Sequence, residues 1–70
     1  MHRIATYLGD DAQRIARERP PFGPGWPPEA AARVDRVEVW GAAWGDPQDF
    51  TEFRGFAGGE RIATARIPGF

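Results

Sequence analysis

The sequence predicts a small α+β domain, an antiparallel sheet packed with one helix, and three observations point there. From Val34 onward the pattern is that of strands, set around two turn signals, Gly45-Asp46-Pro47 and Gly58-Gly59. Ahead of them, residues 11 to 19 hold strong helix formers and stop at Pro20. Seventy residues make one domain at most, residues 1–70, and a chain this short buries only roughly 60% of the surface its unfolded form exposes.

Each element follows from its residues. In "HRIATYL", residues 2 to 8, Ile4, Thr6 and Leu8 fall on one side and Arg3, Ala5 and Tyr7 on the other, which reads as an N-terminal strand that can join the three C-terminal ones. Gly9 interrupts, and Asp10 or Asp11 then caps a helix. Its apolar face is thin: Ala12, Ile15 and Ala16. A helix starting at Thr6 would enclose Gly9 at a cost of ~1 kcal/mol. In "PPEAAAR", residues 27 to 33, proline at the first position and Glu29 near the positive end favour about one helical turn.

In "RVEVWGAAW", residues 36 to 44, Val37 and Val39 share one face, while Arg36, Glu38, Trp40 and Trp44 share the other. A bulge at Gly41 would move Trp44 to the valine side. Residues 46 to 57 admit two readings. Asp46, Pro47 and Asp49 resemble a helix start, with Phe50, Phe53 and Phe56 as a ridge. The strand is preferred, because the segment is aromatic, holds Gly55 inside it and runs into a Gly-Gly hairpin connector. A two-residue loop sets Ala57 opposite Glu60, Phe53 opposite Thr64 and Phe50 opposite Ile67, and Pro68 ends the last strand.

The sheet so built is apolar on both sides: Val37, Val39, Phe53 and Ile62 on one, Trp40, Phe50, Phe56 and Ile67 on the other. One thin helix covers one of them, and the second needs another cover. The proline-rich segment, residues 20 to 28, supplies one. It is a preordered extended strap with two large anchors, Phe22 and Trp26, and is expected to fold onto the domain.

Composition argues against catalysis. Cysteine is absent and His2 is the lone histidine, so thiolate zinc sites and cysteine nucleophiles are excluded. Asp46, Asp49, Glu52 and Glu60 gather around a turn without calcium-loop spacing. The glycines make no phosphate-binding pattern, and the threonines have no visible partner base. The expectation is a non-enzyme without cofactor or metal. No stretch is apolar for long enough to span a membrane, and the location expected is cytoplasmic.

Two binding functions remain. All nine basic residues are arginine, and three tryptophans accompany them; these are the residue types most enriched at binding hot spots. The leading expectation is a small protein-binding module that self-associates as a homodimer or docks on, and inhibits, a larger protein. Its binding residues would be Phe22, Trp26, Trp40, Trp44, Phe50 and Phe56, with Arg54 and Arg61 at the rim. The size and the arginine-only basic set suit an accessory protein of a GC-rich genome or its mobile elements. The alternative is a single-stranded nucleic-acid binder that stacks bases on Trp40, Phe50 and Phe56 beside Arg54 and Arg61. The net charge of −1 and the nearby Glu38, Glu52 and Glu60 weigh against it.

Overall fold

The computed structural model describes residues 2–18, 26–41 and 50–68. They form strand β1 (His2–Leu8), helix α1 (Gly9–Glu18), the short helix α2 (Pro28–Ala31), and strands β2 (Arg36–Gly41), β3 (Phe50–Ala57) and β4 (Glu60–Pro68). The strands make one sheet in the order β1-β2-β3-β4, every neighbour antiparallel. The fold is α+β, and the N-terminal strand does join the other three. Residues 50 to 57 are strand, as the aromatic run with its interior glycine required.

Both helices lie on one side of the sheet. Helix α1 rests on β1 and β2, and α2 packs against α1 and β4. The thin apolar face suffices because small residues let the helix approach closely: Ala12 and Ala16 are buried, with Ile15 partly so. Gln13, on the same helix, donates from Nε2 to the carbonyls of Ala31 at 3.0 Å and Val34 at 2.5 Å. It thereby ties the end of α2 and the segment leading to β2 onto α1.

Trp26 fills the other half of this layer. It is buried with Ala31, Val34 and Val37, and its ring lies over Gly55 of β3. A β-carbon at Gly55 would come within 2.9 Å of Trp26 Cη2 and 3.1 Å of Val34 Cγ2, so only glycine admits this contact. Trp26 therefore belongs to the core on the helix side and does not cover the opposite face. The rest of the strap, residues 20 to 25 with Phe22, lies outside the described residues.

Gly58 and Gly59 form the β3–β4 turn with φ of 60° and 85°, the left-handed pair that a two-residue hairpin requires. Ala57 pairs with Glu60 as expected, but the register then slips. Phe56 pairs with Arg61 and Gly55 with Ala63, so Ile62 is an extra residue, a bulge. Phe53 consequently pairs with Ala65 rather than Thr64, and Phe50 with Pro68 rather than Ile67. A second irregularity falls in β1, where Arg3 pairs with Trp40 and Ala5 with Val39, leaving Ile4 over. Pairing through Gly41 runs on to His2 without interruption, so this bulge is on β1 and not at Gly41. Trp44, whose face depended on it, lies outside the described residues.

The β4 bulge overturns the expectation that both faces are apolar. In unbroken register Ala63 and Ala65 would stand opposite Arg54 and Glu52, on the far face, while Thr64 and Arg66 pointed into the core. With Ile62 taking up one position and packing on the core cluster, Thr64 and Arg66 come opposite Arg54 and Glu52 instead. A one-residue slip exchanges the faces of a strand. Here it sends the alanines in and the arginine out.

Candidate functional site: the open face of the sheet

On the face away from the helices, the register builds three cross-strand rows. Arg3, Trp40, Glu52 and Arg66 make the first, Thr6, Glu38, Arg54 and Thr64 the second, and Leu8, Arg36, Phe56 and Arg61 the third. Such neighbours on one face lie close enough for their side chains to interact, and Glu38 and Glu52 stand among five arginines.

Two carboxylates organise the surface from the central strands. Glu38 accepts a hydrogen bond from Trp40 Nε1 at 2.9 Å. It also pairs with Arg36 Nε at 3.4 Å and Arg3 Nη1 at 3.7 Å. Glu52 is only 2% exposed. It accepts hydrogen bonds from Arg54 Nε and, at 2.8 Å, from Arg66 Nε, with Arg61 Nη1 at 3.9 Å. Burial alone would push the Glu52 carboxyl up. The hydrogen bonds from Arg54 and Arg66, and then the charges of the same two groups, outweigh burial and hold it below its ordinary value.

Each of the two aromatic rings has one arginine of this array over it. The Arg54 guanidinium lies 4.4 Å from the Trp40 ring centroid, and that of Arg36 lies 4.2 Å from Phe56. Each is a cation–π contact of ~0.5–1 kcal/mol, and both rings remain half-buried. The exposed charges lie at the margins of the sheet: Arg3 on β1, and Arg61 and Arg66 on β4, each at least half exposed at the side chain.

The structure thus brings together four of the expected binding residues, Trp40, Phe56, Arg54 and Arg61. Trp26 is in the core, Phe22 and Trp44 are outside the described residues, and Phe50 is placed by its backbone pairing with Pro68 alone. Sequence reasoning missed Arg3, Arg36 and Arg66, and missed that Glu38 and Glu52 are hubs. The signal available was the i, i+2 spacing in Glu38-Val39-Trp40 and Glu52-Phe53-Arg54, which sets each carboxylate beside its partner on one strand face.

A further structural hub is Asp35. Its amide donates to the Phe56 carbonyl at 2.9 Å, its carbonyl accepts from Gly9 N at 3.2 Å, and its carboxylate accepts from Gly58 N at 3.0 Å. It fastens the start of α1 and the β3–β4 turn to one point. Among the described residues, no three His, Cys, Asp or Glu side chains gather where they could hold a metal ion, and no helix is long and apolar enough to cross a membrane. No family model, curated protein or solved structure matches the chain.

Proposed function

We propose that this chain is a non-enzymatic protein-binding module that docks on a larger protein through the open face of its sheet. The observation that supports the reading is the face itself: two half-buried aromatic rings, each covered by one arginine, with both glutamates engaged by those arginines. Rigid aromatic and arginine side chains in one patch are the usual anchors of a protein interface. A pre-organised patch also loses less side-chain freedom on binding.

The same face argues against a second copy as the occupant. Two such faces meeting would set an excess of guanidinium groups against itself, and like charges brought together are costly. Docking on a different protein, with inhibition as one consequence, is the better reading. Single-stranded nucleic acid is the second reading, favoured by the arginine excess. It is weaker because a guanidinium already covers each ring where a base would stack, and because Glu38 and Glu52 occupy the middle of the sheet.

The test is Trp40→Ala, with the fold checked by circular dichroism and affinity measured by calorimetry for the partner isolated on the wild-type chain. The expected loss is roughly 30-fold, that of a hot-spot residue worth ~2 kcal/mol. Unchanged affinity in a folded variant would remove the open face as the docking surface.

A further inference from the structure

The charge on this face exceeds what the face itself can neutralise. Its strand positions carry five arginines, Arg3, Arg36, Arg54, Arg61 and Arg66, against two glutamates, Glu38 and Glu52, a surplus of three positive charges on a chain whose net charge is −1. The other described positions hold three arginines and six acidic residues. Among the described residues charge is therefore segregated: the open face is basic and the remainder is acidic.

The surplus is also divided. The carboxylates sit on the two central strands, and the most exposed arginines sit on the two edge strands. Four strands at ~4.8 Å spacing separate the edges by about 14 Å. Arg3 and Arg61 approach their glutamates only at 3.7 and 3.9 Å, beyond hydrogen-bond length, so a second carboxylate can be received by either guanidinium.

Resting on the docking reading above, we propose that the partner is a protein whose contact surface is acidic. Its carboxylates would seat on Arg3 at one edge of the sheet and on Arg61 at the other, with an apolar side chain over Trp40 and Phe56 between them. The complementarity is to two separated clusters of carboxylate. A phosphate backbone fits less well, because a continuous polyanion crossing the sheet would pass over Glu38 and Glu52. Guanidinium and carboxylate already meet on this face through Arg66 and Glu52, and the partner would extend that pairing outward.

Fluorescence anisotropy with two labelled probes of matched charge, a peptide alternating glutamate and leucine and an oligothymidine, tests this on the full chain. The peptide is expected to bind more tightly. Its affinity is expected to fall roughly tenfold as salt rises from about 50 to about 500 mM, because exposed charges are then screened. Arg61→Glu is expected to cost at least roughly tenfold, and Arg3→Glu similarly. Both side chains are exposed, and Arg61→Gln gives a milder variant should the reversal impair folding. Tighter binding of oligothymidine, no peptide binding, or peptide binding indifferent to both salt and Arg61→Glu would each overturn the proposal. The isolated partner separates the two levels. If Trp40→Ala weakens it while Arg61→Glu does not, the docking face stands and the acidic class fails. If neither change matters, the docking reading fails as well.

Discussion

The two faces of this sheet hold together by different physics. On the helix side, contact is made by shape. Alanines at 12, 16 and 31 and glycine at 55 let backbone, ring and helix approach closely around Trp26, Val34 and Val37. On the open side, contact is made by pairing, with two carboxylates gripping arginines that in turn lie over aromatic rings. The first face has little tolerance for a change of volume. The second, being half in water, tolerates loss of a single side chain but depends on charge balance. Each face holds a tryptophan in a different role, and the pair makes the sharpest comparison.

The largest effect is expected at Trp26. Trp26→Ala removes the ring that covers Gly55 and opens a cavity in the core, at a cost of ~3–5 kcal/mol. Native domains are stable by only about 0.05–0.15 kcal/mol per residue, so this variant is expected to be largely unfolded. Trp40→Ala loses a hydrogen bond to Glu38 and a contact with Arg54 at a half-exposed site, and is expected to cost about 1–2 kcal/mol. Urea denaturation followed by circular dichroism compares them. Equal losses would mean that the open face is as tightly packed as the core.

Much of the fold could be read from the residues because its signals are local. Gly58-Gly59 specifies its own turn, and Ala12, Ile15 and Ala16 their own helix face. The open face was only partly legible, and the part missed on β4 traces to Ile62. Alternation was carried through β4 as if unbroken, which put apolar residues on both sides. Nothing in "ERIATARI" announces that Ile62 takes up an extra position, since bulge placement depends on what Ile62 packs against across the sheet. The arginines and glutamates were visible, but their convergence required strand order, which no local pattern gives. Trp26 was expected to cover the face opposite the helix and is instead buried on the helix side, because its seat is made by the absence of a side chain at Gly55.

An intermediate effect is expected at Glu52, where charge balance can be tested directly. Glu52→Gln keeps the shape and removes the charge, leaving Arg54 and Arg66 without their shared carboxylate. A loss of about 2 kcal/mol near neutral pH is expected. The pH dependence has a definite sign. The folded carboxyl is held below its ordinary value, so its contribution is fully present above the pKa of the unfolded chain and is lost as pH falls through the folded pKa. Wild type and Glu52→Gln should therefore differ most at neutral pH and converge on acidification, measured as urea midpoints across the carboxylate range. A gap that stays constant or widens in acid would show that Glu52 contributes by packing rather than by charge.

The smallest effect is expected at Leu8, and it bears on where the open face ends. Leu8 stands in the third row, opposite Arg36, at the edge strand, and is 63% exposed. By residue type it looks like core, and the alternating pattern of β1 gave no reason to separate it from Ile4. By position it belongs to the side held by pairing, where a lone apolar side chain contributes little. Leu8→Gln is accordingly expected to change stability by no more than ~0.5 kcal/mol, the range of ordinary surface substitutions. The isolated partner gives a second measurement. If affinity is also unchanged, the docking surface stops short of Leu8 and centres on Trp40 and Phe56. If stability holds but affinity falls several-fold, the apolar edge of β1 is part of the interface, and the contact extends across all four strands. A large loss of stability would mean that Leu8 is covered in the folded chain, and the division of the sheet into a packed face and a paired face would not hold at this edge.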